Sequence, residues 1–464
     1  MMIPLVSSFG DLALSFSSVF TSPSFANFLT ILNGWVFCLG RHTVTGLIVA
    51  AGAVEKKHFS CFHRFFSRAV WNLDPLGRII LQLVLRFVPS DEVILFAIDD
   101  TLGRKTGRHI WGAGMHHDPL RSTPSRPVFS FGHSWVVLAI IVPLPFISHR
   151  RFAVPILFRL YRKKSRKRQP GRPKGEKKST GNATPREYRT RPQLAEEMLA
   201  IVDEWLNGRR FRVVGDSEYS GKSVSRKLPK TADLVGRMPM NAALYGEPPT
   251  PTPGRMGRPR KKGERLANPA ELAKSRKVRW TKTRVDIYGT STRVWLKSVD
   301  ALWYNSAGTQ LLRIVVTRDP SRKRRDDCYF TTDLSMTPVE IIETIAKRWS
   351  LEVTFRDAKQ SLGFEEPQSR TQKAVERTAP MAFVLYGMTV LWHAEHGEAL
   401  REKWFVKRPW YRKKRGPSFG DMLATLRQAS WVEASFLDPA EGPGSEKTTP
   451  KRLLQLQTWL SAAG

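Results

Sequence analysis

The chain has 464 residues, room for a large core and for more than one folding unit. Lysine and arginine number 75 against 41 acids, a net charge of +34, yet 41% of the residues are hydrophobic. That balance excludes a merely solvating disordered polymer and calls for a polyanionic partner, of which nucleic acid is the commonest. Cys38, Cys61 and Cys328 are few and scattered, which excludes a disulfide framework and fits a reducing, cytoplasmic setting. No Lys or Arg precedes Arg41, so the basic start of a secretion signal is missing, and the apolar run Trp135 to Ile147 is short and broken by Pro143 and Pro145. No membrane association is expected.

Residues 1–90 read as helical. Phe59, Phe62, Phe66 and Val70 recur at helical spacing with His63, Arg64 and Arg68 largely outside the stripe, and a second helix is predicted around Thr43 to Val54. Such a basic amphipathic pair suits a DNA groove, with Arg64 and Arg68 as contacts, or else is a solvated face on a small bundle. From Glu92 the pattern turns to β: an apolar strand ends at Asp99 and Asp100, further strands are predicted at Trp135 to Val142, Phe211 to Gly215 and Ala232 to Val235, and helices at Pro192 to Leu206 and Ser220 to Lys227. Strands with interposed helices argue for an α/β core. Residues 159–178 are dominated by Lys and Arg against the single acid Glu176, with no large apolar residue after Tyr161, and are expected as an exposed arm.

The region 238–306 interrupts the core. A Pro-, Gly- and Arg-rich segment leads into Val278 to Tyr304, where Thr, Val, Trp and Tyr alternate as in a small antiparallel sheet. Strands are predicted again at Leu311 to Thr317 and Cys328 to Thr332, then one helix from Pro338 to Leu362 and a buried one from Ala379 to His393. In the basic region 398–464, Trp404 to Arg415 interleaves aromatics with cations such as Arg412, a mixture able to stack on bases while pairing phosphates. Gly171-Arg172-Pro173-Lys174 and Gly257-Arg258-Pro259-Arg260 resemble the minor-groove AT-hook, so Arg172 and Arg258 are candidate DNA contacts, by groove insertion or by phosphate pairing.

Carboxylates at the end of a buried strand are costly unless solvent, a partner or a metal receives them. Asp99 and Asp100 close one apolar strand and Asp216 another, with Tyr219 three residues on; a turn or helix-cap role is the alternative for each. In the helix predicted at 338–362, Arg348, Glu352 and Lys359 fall within roughly 40° of one face at about 100° per residue. A salt-bridge ladder would look the same.

These residues resemble insertion-sequence transposases of the DDE superfamily. The signature helix of that family reads Tyr, two residues, Arg, three residues, Glu, six residues, Lys, and is matched at Arg348, Glu352 and Lys359, with Ile345 in the Tyr position. The first family motif, Asp-x-Thr, is matched by Asp99-Asp100-Thr101, which favours Asp99 over Asp100, and the second, Asp with an aromatic three residues later, by Asp216 and Tyr219. The resemblance implies a ribonuclease H-like mixed-sheet core in two parts, 91–237 and 307–397, around the β-rich insertion 238–306, with an N-terminal helical DNA-binding domain. It implies Asp99, Asp216 and Glu352 as ligands of two Mg²⁺ ions, for which Mn²⁺ can substitute, because paired ions activate the attacking water and neutralise the leaving oxygen. Arg348 and Lys359 are expected on DNA phosphates, and an insertion Trp (Trp280, Trp295 or Trp303, with Trp295 preferred) either on an unpaired base or in the small sheet's core. The implied activity is cleavage at transposon ends and transfer of the 3′-hydroxyl into target DNA by a homodimer holding both terminal inverted repeats, in a prokaryotic, nucleoid-associated setting. An inactive DNA-binding protein of this fold and a structure-specific nuclease are the alternatives.

Gly215 to Ser223 has one residue too many between its glycines for a phosphate-binding loop and carries Asp216 and Glu218 where phosphates would sit, so no nucleotide is expected. His116, His117 and Asp118, and likewise His58, Cys61 and His63, lack the spacing of a zinc site. His133 is placed either near the carboxylates or in a structural hydrogen bond.

Overall fold

A computed structural model of the chain describes residues 3–107, 109–123, 125–144, 147–163, 188–250, 258–397, 399–400 and 416–436. Helices come first: α1 (Ser7–Leu14), α2 (Ser22–Phe37), α3 (Val44–Ala50), α4 (Ser60–Ser67) and α5 (Leu73–Val84). The apolar stripe differs from the expected one. Helix α4 spans only eight residues, so Phe59 before it and Val70 beyond it are exposed, while Phe62, Phe65 and Phe66 are buried.

Next come β1 (Ile94–Arg104), β2 (Gly114–His117), β3 (Phe129–Leu144) and β4 (Ile147–Tyr161), then α6 (Arg191–Leu206), β5 (Phe211–Gly215), α7 (Lys222–Ser225) and β6 (Ala232–Met238). Strand β1 does not end at Asp99 and Asp100 as expected. Pairing with β3 carries it on to Arg104, whereas its parallel pairing with β5 stops at Ile98. Arg159 is not part of an exposed arm either: it lies within β4, and its largely sheltered guanidinium sits between Asp74 (2.8 Å) and Glu197 (2.8 Å). Residues 164–178, with Arg172, lie outside the described residues, as does Arg412.

The insertion supplies β7 (Leu244–Tyr245), β8 (Arg265–Leu266), α8 (Pro269–Lys274), β9 (Thr281–Ile287) and β10 (Thr290–Leu302), followed by α9 (Tyr304–Ala307), β11 (Leu311–Arg318) and β12 (Asp327–Thr331). The hairpin of β9 and β10 is antiparallel as its alternation predicts, but it is no sheet of its own: β10 pairs with β11 from Trp295 to Leu302, and β12 pairs with β6. Among the described residues one continuous sheet runs β2-β3-β1-β5-β6-β12-β11-β10-β7-β8, with β4 also on β3 and β9 on β10. The strands β4, β3 and β1 alternate in direction, and β5 and β6 run parallel to β1.

Helices α10 (Pro338–Lys347), α11 (Trp349–Ser361), α12 (Gln372–Trp392), a π turn at His393–Gly397 and α13 (Phe419–Phe436) complete the fold. The single helix expected at 338–362 is two, divided at Arg348, where backbone bonds tighten to three-residue spacing: Arg348 N–H to the Ile345 carbonyl (3.2 Å) and Leu351 N–H to the Arg348 carbonyl (2.9 Å). Helix α12 is buried nearly all round because strands and helices both claim it. Phe383 stacks on Phe158 of β4 with ring centroids 5.6 Å apart, and Arg377 donates to the carbonyls of Phe66 and Ala69 (3.1 and 2.9 Å) and to that of Trp71, closing the end of α4. The N-terminal helices therefore share one apolar core with the sheet. Among the described residues no helix is long and apolar enough to cross a membrane.

Candidate active site

The sheet register builds the site. The last parallel pair between β1 and β5 is Ile98 with Gly215, so the next residue on each strand, Asp99 and Asp216, emerges side by side where the parallel pairing ends. Gly215 permits the turn that follows, since a Cβ there would lie 3.0 Å from the Tyr219 Cβ and 3.2 Å from Ile98. Asp216 Oδ1 accepts from the backbone N–H of Glu218 (2.9 Å) and, more weakly, of Tyr219 (3.4 Å), which fixes the loop at its own strand end.

Adjacent residues on a strand point to opposite faces, and the two β1 aspartates are divided in this way. Asp100 takes the Tyr219 hydroxyl at 3.2 Å and the Ser134 hydroxyl at 3.3 Å, and sits 3.4 Å from Arg191 at the start of α6. Tyr219 and Ser134 are buried. Asp100 is thus a tie between β1, α6 and the Asp216 loop. Asp99 accepts its neighbour's backbone N–H at 2.8 Å and pairs with the guanidinium of Arg348. The other arm of that guanidinium donates to Glu352 at 2.7 Å, so one Arg spans the strand carboxylate and the helix carboxylate. Burial pushes the Asp99 carboxyl up, the Arg348 guanidinium pulls it back down, and Asp216 and Asp100 add to the rise.

The structure therefore gathers Asp99, Asp216, Arg348 and Glu352. Lys359 stays apart, two turns along α11, where its ammonium lies 3.8 Å from Glu365 and burial lowers its pKa. Arg64, Arg68 and Arg258 are exposed. Trp295 is half-buried with the Lys282 ammonium 5.4 Å from its ring, Trp280 lies between Lys297 (4.6 Å) and Arg318 (4.3 Å), and Trp303 packs edge-on against Phe330. His133 is buried and bonded to the Trp111 carbonyl at 2.9 Å, a structural role. Sequence reasoning missed Arg191, although the capping box of Thr190 and Gln193 marks where α6 begins beside it. It also missed Tyr288, which turns the β9–β10 hairpin at φ 57° and brings its ring 6.0 Å from Trp349 beside Glu352; the Tyr-Gly pair between alternating strands is the signal.

Residues 15–293 match the sequence model of a family described as DDE superfamily endonuclease. The chain belongs to the DDE superfamily endonucleases. The matched stretch contains Asp99 and Asp216 and ends before Glu352. Among solved structures, the chain is similar to one described as a cryo-EM structure of the piggyBac transposase synaptic complex with hairpin DNA, at a TM-score of 0.40 and 10% identity over 99% of this chain and 81% of that one. No curated protein matches it.

As arranged, no three Asp, Glu, His or Cys side chains among the described residues are close enough together to hold a metal ion. The donor chemistry of this endonuclease nonetheless fits a hard cation. Every candidate ligand is a carboxylate, and positive charge already stands between Asp99 and Glu352 in the form of the Arg348 guanidinium.

Proposed function

We propose that this DDE endonuclease is a DNA transposase that cuts at transposon ends and joins the freed 3′-hydroxyl to target DNA. The observation that carries the reading is the convergence of Asp99, Asp216 and Glu352, the first two by strand register and the third through the shared Arg348. The order β4-β3-β1-β5-β6, antiparallel and then parallel, supports a ribonuclease H-like core. Asp99, Asp216 and Glu352 would hold two Mg²⁺ ions, with Mn²⁺ able to substitute, and the bound ions supply water activation and neutralisation of the leaving oxygen.

The protein's own groups position the reaction. Asp100, held by Tyr219, Ser134 and Arg191, keeps β1 and the Asp216 turn in register. Arg348 and, farther along α11, Lys359 offer cations to the phosphates flanking the scissile bond. The N-terminal region 1–90, with Arg64 and Arg68, takes the terminal inverted repeats, and Arg258, Trp295 and the basic regions that contain Arg172 and Arg412 extend the contact. Two ends must be joined, so the working unit is a homodimer in a synaptic complex. Such a protein works on the nucleoid of a prokaryotic cytoplasm.

The test is Mg²⁺-dependent nicking of a duplex bearing the inverted repeats that flank the gene, alongside a binding assay. Asp99→Asn, Asp216→Asn and Glu352→Gln should each abolish nicking and retain or tighten DNA binding, because loss of a carboxylate lessens repulsion of phosphate. Asp100→Asn should nick better than Asp99→Asn. Full nicking by Glu352→Gln would end the catalytic assignment and return α11 to a salt-bridge role. Binding without nicking in the unaltered protein would favour an inactive DNA-binding relative, and nicking without joining a nuclease.

A further inference from the structure

Arg348 is the sole ion-pair partner of both Asp99 and Glu352 among the described residues. Its side chain is 19% exposed, and it makes no capping bond to the backbone of α11, so the two carboxylates alone hold its polar end. A guanidinium cannot shed its charge by deprotonation at any relevant pH; it can only move. We propose that Arg348 is an internal counter-cation that competes with divalent metal for Asp99 and Glu352 and is released toward DNA phosphate when metal binds, so that metal and DNA favour each other's binding through this one side chain.

The inference rests on the metal-site reading above and adds an order of events to it. A divalent ion at these carboxylates meets like charge unless the guanidinium leaves, so its affinity in the absence of DNA is reduced by the strength of the Arg348 pairs. A guanidinium that has left needs another anion, and a planar fork suits phosphate as well as carboxylate. Conversely, a phosphate that draws Arg348 away leaves two sheltered carboxylates without a counter-charge, a costly state that a cation relieves. Thermodynamic linkage makes the two effects equal in size. The position suits the movement, because Arg348 stands at the break between α10 and α11 and its side chain can swing without displacing a strand.

Calorimetric titration of the full-length, DNA-free protein with Mn²⁺ tests this directly, with Asp99→Asn as the control that removes site binding. Arg348→Gln should bind the ion between about 5-fold and 150-fold more tightly than the unaltered protein, the usual span of such couplings. Arg348→Lys, a single point charge that cannot fork, should fall between the two. In a DNA-binding assay, Ca²⁺ should strengthen binding by the unaltered protein, and that gain should shrink in Arg348→Gln. Equal or weaker ion affinity in a folded Arg348→Gln protein overturns the inference while leaving the metal site intact. Should the Gln variant fail to fold, unchanged ion affinity in Arg348→Lys overturns it equally. No ion binding by either the unaltered protein or a folded Arg348→Gln variant overturns both the inference and the metal-site reading.

Discussion

Neighbouring side chains on β1 have different partners. Asp99 faces Arg348, and Asp100, next along the strand, is held by a tyrosine, a serine and an arginine. On β2 and β3, His116 and His133 are buried, and burial lowers each to about 4, with Lys163 and Arg191 adding to the effect at His116. Both are neutral in the folded protein at pH values where the unfolded chain protonates them, so folding excludes protons between about pH 4 and 6.5. Stability should therefore fall as pH drops through that window, by about 1.4 kcal/mol per pH unit for each group at most. His133→Gln should flatten the dependence of melting temperature on pH relative to the unaltered protein. An unchanged slope would mean that His133 is protonated in the fold. The sequence prefers Asp99 to Asp100 only through the family motif; the Tyr219 hydroxyl that the structure sets against Asp100 depends on a loop fold that no spacing reveals.

At the scale of elements, Phe211 to Gly215 was readable to the residue because a short apolar run closed by Gly-Asp has few other readings. The division at Arg348 was not, since Ile345 to Lys359 contains no Pro or Gly to mark it. Nor was the fusion of the β insertion with the main sheet, because alternation predicts strands and not their neighbours. The fusion itself is the pairing of β10 with β11, while inside the insertion Lys297 on β10 ties that strand to α8: its ammonium is buried and donates to the carbonyls of Leu272 (2.9 Å) and Ser275 (2.6 Å). Lys297→Met should strand those carbonyls and lower stability by about 1–3 kcal/mol in urea denaturation. A variant as stable as its parent would show that water replaces the ammonium there. Trp280, between Lys297 and Arg318, should likewise affect melting when replaced by Ala. Trp295→Ala should instead weaken handling of the cut end, by about 1–3 kcal/mol if the ring stacks on a base.

For the whole molecule, a charge of +34 predicts that duplex DNA binding weakens steeply with salt. With about six to ten phosphates engaged, the logarithm of affinity should fall with the logarithm of salt at a comparable slope, and a slope shallower than about −2 would show that the charge is not directed at DNA. The same body also joins distant parts of the chain. Val6 N–H donates to Ser430, Ser7 N–H to Glu433, Trp392 to Ser8 and the Trp35 indole to the Leu362 carbonyl, all at 2.8–2.9 Å. Those contacts set a timetable for synthesis. Ribosomes add about 5–20 residues per second, so on the order of tens of seconds pass between the emergence of α1 and that of α13. Until those late helices emerge, Phe9 lacks Trp392 of α12, α4 lacks the α12 surface it packs on and α2 lacks α13. A chain ending before residue 372 would leave the faces of α1, α2 and α4 that pack on α12 and α13 in the finished fold open to water.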